Sequence, residues 1–165
     1  MHKKRPQGDP IKAYERRATA ARRVGAGARC ACGEAHPEAL IAGSDPVTCA
    51  ACDRKGHGKT PLDNHHVAGR ANSPITIPVP VNDHRAILSS AQYDWPKNTL
   101  ENGEASPLLA AAAYIRGLAD TVTYLVGQVL WVADMLEMAD SLPGKRLGQK
   151  WWRKTPLKQY VPKGR

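Results

Sequence analysis

The chain has 165 residues, 42% of them hydrophobic and none of them Phe, so its core must be aliphatic and Ala-rich, and its length allows one domain or a small domain with an extension. The formal net charge of +9 lies at the ends: residues 1–29 carry nine Lys/Arg and two acids, residues 145–165 carry eight Lys/Arg and no acid, and residues 30–144 carry seven Lys/Arg and thirteen acids. Basic arms on an acidic body favour polyanions, nucleic acid first, through release of condensed counterions, while the lack of an apolar run after the basic Met1–Arg5 argues against export.

Asp9-Pro10 reads as an N-cap followed by Pro at the first helical position, and predicts a helix from Pro10 to Val24 stopped by Gly25 and Gly27. Arg16, Arg17, Arg22 and Arg23 make its surface basic. Residues 28–60 are loop-rich and hold four cysteines as two close pairs, Cys30/Cys32 and Cys49/Cys52. In a reducing compartment such pairs favour metal over disulfides. Two knuckles of this kind close a four-thiolate zinc site with no open position, which makes its role structural.

Leu62–Val67 is predicted as a short strand ending in His65 and His66, and Gly69–Pro74 as a turn-forming loop. Ile75, Ile77, Val79 and Val81 alternate on one face of a second strand, with Pro78 and Pro80 confining it to a sheet edge. Asn82 is expected to cap a helix from Asp83 to Leu88 that places His84 in its first turn. Strand, loop, strand and helix make a ββα unit. Adjacent histidines at a frayed strand end can serve different partners, one a metal and its neighbour the attacking water, while His84 closes the metal site from the helix. Hydrolysis of a phosphodiester needs such a base and charge relief on the leaving oxygen. This assigns His65 and His84 as ligands of one divalent cation (Mg²⁺, Mn²⁺, Ni²⁺ or Zn²⁺, with imidazole favouring the transition metals) and His66 as the base.

The segments Asp63-Asn64-His65-His66-Val67 and Val79-Pro80-Val81-Asn82-Asp83-His84-Arg85 resemble the opening and closing elements of the HNH endonuclease family. Many members have Cys-x-x-Cys-His-Arg at the closing element, where this chain has Pro80 and Asp83 in the cysteine positions. The resemblance covers about residues 28–90 and implies an α+β fold with a ββα-metal (His-Me finger) core and one catalytic cation. It maps the general base onto His66 and the two ligands onto His65 and His84. The family's central Asn falls at Ile75, which leaves Asn72 as the residue expected to brace the loop and Asn82 as the alternative. Asp63 is expected to hydrogen-bond a ligand histidine, and Arg85 to hold the phosphate.

Ala91–Glu104 reads as irregular. Ser106-Pro107 opens a helix predicted to run to Ser141 before Pro143-Gly144, with Arg116, Asp120, Thr123, Gly127 and Asp134 as a thin polar stripe on an otherwise apolar surface. Such a helix needs cover, and a homodimer or a larger protein complex through residues 107–141 is expected to provide it. Its longest uncharged run, Thr121–Ala133, is thirteen residues, short of the ~20 that span a bilayer, so no membrane partner is expected. The tail mixes Lys150, Arg153 and Lys154 with Trp151, Trp152 and Tyr160; these bases, with Arg70 and the arginines of the first helix, are expected to contact DNA, the aromatics either stacking on bases or anchoring the tail.

The sequence thus divides into a basic arm (1–27), a zinc-knuckle and HNH-like domain (28–90), a linker with a long apolar helix (91–144) and a basic aromatic tail (145–165). It predicts a cytoplasmic, bacterial or phage-encoded DNA endonuclease with a structural Zn²⁺. The alternative is a catalytically inactive zinc-dependent DNA-binding protein, or an accessory to phage or mobile-element assembly.

Overall fold

An Ala- and Arg-rich run behind a first-turn proline folds as helix α1, Pro10–Val24, within the bounds its sequence predicts. Gly25 ends it at φ +94°, a conformation that side chains disfavour. The structure, a computed structural model, describes residues 10–160, so the Asp9 cap and the outermost basic residues of both arms lie outside the described residues. Two compact units divide at Tyr124/Leu125.

In the first unit, residues 28–60 are not all loop. Leu40 and Cys49 form an isolated antiparallel bridge, and helix α2, Ala50–Gly56, follows directly. The short helix forms because the Cys49 sulfur accepts the Cys52 N–H as an N-cap, while Asp53 in its first turn and Arg54 and Lys55 in its last suit the helix dipole.

Strands β1, Leu62–His66, and β2, Thr76–Pro80, make an antiparallel two-stranded sheet in which Asp63 faces Val79 and His65 faces Ile77. Pairs directly opposite share a face. Here that face holds buried His65 and Val79, while Asn64, Pro78 and Pro80 are exposed. Ile75, expected to continue the inward face, precedes the strand and is exposed, and Val81 leaves it to start the next helix.

That helical run comes in three pieces: α3, Val81–Asp83; a wide π-helical turn, His84–Leu88; and α4, Ser89–Tyr93. It begins two residues earlier than expected and without the Asn82 cap, because Pro80 ends the strand and the Asn82 side chain is engaged elsewhere: it accepts from Ala51 N–H (3.0 Å) and donates to Glu34 Oε2 (3.0 Å). Residues 91–104 are more ordered than their composition predicts. Helix α5, Lys97–Glu101, starts behind Pro96 and stops at Asn102 in the left-handed region.

Helix α6, Pro107–Leu147, starts at the predicted Ser-Pro device and runs past Ser141 through Pro143. Its residues buried in the first unit are Ala113, Gly117, Thr121 and Tyr124. Ala113 packs with Ala68 and Trp95, and Tyr124 packs with Val79 and Leu88. The Trp95 indole N–H donates to Asp120 Oδ2 at 2.8 Å, which uses one member of the polar stripe internally. A third cluster, Cys30, Leu40 and Cys49, lies around the cysteines. The chain is therefore a mixed α and β protein with one small sheet, a long C-terminal helix and a cysteine cluster.

In the second unit, every residue of α6 from Leu125 to Leu142 is exposed, and Gly148 ends the helix at φ +83°. Two 3₁₀ turns follow, Trp151–Lys154 and Pro156–Tyr160. The Trp151 indole donates to Asp140 Oδ1 at 3.0 Å, so this aromatic anchors the tail to the helix, and Arg153 lies over the Trp152 ring. The thirteen-residue limit on the apolar run proves too strict. Once an acidic residue or two is admitted, an 18-residue window reaches mean hydropathy 1.2, so by length and composition α6 is long and apolar enough to cross a membrane.

Candidate metal and histidine sites

The four cysteines converge. Their sulfurs all lie within 4.8 Å of one another, with Cys32 and Cys49 Sγ at 3.6 Å. A tetrahedral zinc with ~2.3 Å bonds separates its sulfurs by roughly 3.8 Å, so the cluster could hold zinc with little movement. Backbone N–H groups of Cys32 and Cys49 hold the Cys30 thiol down to about 6. The sulfurs of Cys32, Cys49 and Cys30, with burial and the Cys49 charge, push Cys52 up to about 12. Four thiols this close cannot all ionise unaided, and a dication removes that conflict. Among the described residues this is the only group of three or more His, Cys, Asp or Glu placed to hold a metal.

Asn82 joins this knuckle to the start of the helix that carries His84, through its bonds to Ala51 and Glu34. Arg54 of α2 reaches β1 by way of Asp63 at 3.5 Å.

At the far end of the hairpin the His65 and His84 rings meet edge to face, with centroids 5.2 Å apart. His65 is 1% exposed, and its Nδ1 is buried with no hydrogen-bond partner. Burial first, then the charges of His84 and His66, lower its pKa to about 4, so the ring is neutral at pH 7. His84 Nδ1–H donates to Asp63 Oδ2 at 2.8 Å, leaving Nε2 with a lone pair. Burial works to raise the Asp63 pKa, but the hydrogen bond and charge of His84, with Arg54 behind them, outweigh it and hold the carboxyl below its usual range.

His66 is half-buried, and its Nδ1–H donates to the Ser73 carbonyl at 3.2 Å, which likewise leaves Nε2 free to accept a proton. Asp63, expected to hydrogen-bond a ligand histidine, bonds His84. Asn72, expected to brace the loop, is bonded toward α5: its amide donates to the Thr99 carbonyl at 2.9 Å, not to the histidines.

Other expected contact residues lie apart. Arg85 is exposed and lines a groove with Ala20, Arg23 and Tyr93. Arg16 is paired with Asp94 and sits over Tyr93, so it docks α1, and Arg22 bonds Thr19. Arg17, Arg23, Arg70, Lys150, Arg153 and Lys154 are exposed.

Gln92 was not legible from sequence. Its amide donates to the His66 carbonyl at 2.6 Å and lies 3.4 Å from both His65 Nε2 and the Val67 carbonyl. A polar residue eight positions beyond His84, in a segment that reads as irregular, gives no signal of such a role. Gly117 is the other residue missed: a Cβ there would lie 1.6 Å from the Val67 carbonyl oxygen, so this glycine is what lets α6 close on the end of β1. Comparison of the chain with protein-family models, with curated proteins and with solved structures finds no match.

Proposed function

We propose that this protein is a metal-dependent endonuclease of the HNH type that hydrolyses phosphodiester bonds in DNA, with His66 as general base and one divalent cation held by His65 and His84. The observation that carries this reading is the set of imidazole nitrogens left available at one end of the hairpin: the partnerless Nδ1 of His65, and the free Nε2 atoms of His84 and His66. Two imidazole ligands suit a transition metal and leave the remaining positions to water and phosphate. Such a cation, when bound, relieves charge on the scissile phosphate and on the leaving oxygen. Asp63 fixes the tautomer and orientation of His84, as a carboxylate behind a ligand histidine does. The Ser73 carbonyl fixes the proton of His66 on Nδ1, so Nε2 takes the proton from the attacking water. The exposed arginines and lysines hold the duplex by its phosphates, without reading sequence. The cysteine cluster, loaded with zinc, maintains the fold around α2 and steadies the start of the His84 helix through Asn82.

Plasmid nicking assayed across Mg²⁺, Mn²⁺, Ni²⁺ and Zn²⁺ tests the reading. His66→Ala should lose nicking by at least about a hundredfold, with fold and zinc content kept; cleavage undiminished in that variant removes the general-base role. The second reading, a zinc-dependent DNA binder without catalysis, is favoured by the fact that only the cysteines gather three or more ligating side chains among the described residues. Retarded migration of DNA without nicking under any of the four metals would select it.

A further inference from the structure

In the sequence of α6, every third and fourth residue in alternation is apolar. Leu108, Ile115, Val122, Val129 and Leu136 form one series, and Ala111, Leu118, Leu125, Val132 and Ala139 form the other. These are the a and d positions of more than four heptads. Arg116, Asp120, Thr123, Asp134, Glu137 and Ser141 fall at b and f, on the opposite side of the helical wheel, while Thr121 and Gln128 fall at g and Asp140 at e.

In the first unit, the residues that α6 buries (Ala113, Gly117, Thr121 and Tyr124) lie at c, f and g, so the a/d positions are not used for packing there. Leu108, Ile115, Leu118 and Val122 are 80, 67, 50 and 50% exposed. In the second unit, Leu125, Val129, Val132 and Leu136 are 53, 69, 50 and 66% exposed.

We propose that α6 pairs, parallel and in register, with α6 of a second copy of this chain through these a and d residues. Two arguments select this occupant. The first is area: the eight large a and d side chains expose the equivalent of about five whole aliphatic residues, on the order of 800–900 Å², which matches the ~800 Å² per partner of a stable protein–protein interface. The second is side-chain shape. Ile115, Val122 and Val129 at a with Leu118 and Leu125 at d follow the pattern that favours two parallel strands over three or four in the middle of the series, while Leu108 and Leu136 at a and Val132 at d depart from it. Ala at the e positions 112, 119 and 133 lets the backbones approach. The pairing is independent of whether the histidine site cleaves DNA.

Sedimentation equilibrium of the full, zinc-loaded chain at micromolar concentration is the test. Two copies are expected. Leu125→Glu/Val129→Glu, which sets like charges against one another across the seam, should weaken association by at least a hundredfold, whereas Thr123→Glu, at b, should leave it unchanged. Because Leu125 and Val129 are exposed within the single chain, helix content and bound zinc should match the unmodified protein in all variants, and a direct check of both separates lost pairing from lost folding. The Val129→Cys variant, oxidised with its zinc in place and digested, should yield a peptide joined to its own copy, as in-register a positions require. A monomer at these concentrations, a trimer or larger species, association indifferent to the seam substitutions, or monomers that move onto phosphatidylcholine vesicles would each overturn the proposal.

Discussion

Gly117→Ala adds one methyl group at the point where α6 crosses the end of β1. The new Cβ would sit 1.6 Å from the Val67 carbonyl oxygen, 2.6 Å from its carbonyl carbon and 3.2 Å from the Trp95 ring. The obstacle is backbone and cannot swing aside as a side chain could, so the helix or the strand end must retreat by more than an ångström. Overpacking of this kind costs about 1–3 kcal/mol, and a backbone obstruction belongs at the upper end. Against it stands the helix preference for Ala over Gly, about 1 kcal/mol. The net expectation is a loss of about 2 kcal/mol. Gly127, in the same helix, has nothing within 4 Å of its would-be Cβ, so Gly127→Ala should show the propensity gain alone and stabilise by up to about 1 kcal/mol. Urea denaturation followed by circular dichroism compares the two. Because Val67 directly follows His66, the His65 and His66 ring resonances should also move in Gly117→Ala and stay in place in Gly127→Ala. A Gly117→Ala protein as stable as the parent, with unmoved histidine resonances, would refute the close approach and the packing of α6 built on it.

Buried neutral His65 should make the protein acid-sensitive. Its native pKa of about 4 lies below the ordinary 6.5, so as pH falls from about 6.5 to 4 the unfolded state takes up a proton that the native state refuses. Stability is therefore whole above that window and is lost through it, by up to about 3 kcal/mol; without added divalent metal, the fall in urea midpoint from pH 7 to pH 5 should be smaller in His65→Gln than in the parent, and an equal fall in both would refute the assignment. If the histidines hold the proposed cation, Asp63→Asn should weaken its binding by about tenfold to a hundredfold without changing the metal uptake of the cysteine cluster, measured by calorimetric titration of protein first equilibrated with zinc. Cys49→Ala, which removes both the N-cap acceptor of α2 and one of the four clustered sulfurs, should loosen α2 and lower zinc uptake, whereas Cys49→Ser should lower zinc uptake but keep the cap; far-UV circular dichroism with metal analysis separates the two. Asp120→Ala should cost about 1–3 kcal/mol by leaving the Trp95 indole N–H unpaired, again read by urea denaturation.

Local signals in the sequence carried far where they depend on neighbours along the chain. The first-turn proline and the glycine stop placed α1, period-two alternation placed β2, and the close cysteine pairs located a cluster whose sulfurs do converge. Asp63 read as a partner for one of the histidines without saying which, and the structure pairs it with His84. What escaped depends on tertiary partners. Asn82 carries the residue type of a cap, yet Ala51 and Glu34 compete for its amide and win. Asn72 is drawn to the Thr99 carbonyl by a helix that composition alone does not announce. Gly117 acts through a backbone carbonyl, and Gln92 through two carbonyls and the His65 ring, and no spacing rule links either to that strand.

The π-helical turn at His84–Leu88 sets the aim of the whole arm that follows it. Two ordinary α turns take about seven residues, and one widened by an extra residue brings the repeat to about eight, the separation of His84 from Gln92. Both side chains can then point to the same place, and both do meet His65. Removing a single residue such as Ala86 would tighten the coil and swing Gln92 roughly 100° around the axis, away from the strand it grips. One surplus residue thus works as an angular shim, phasing two contacts made a dozen ångströms apart along a single helix.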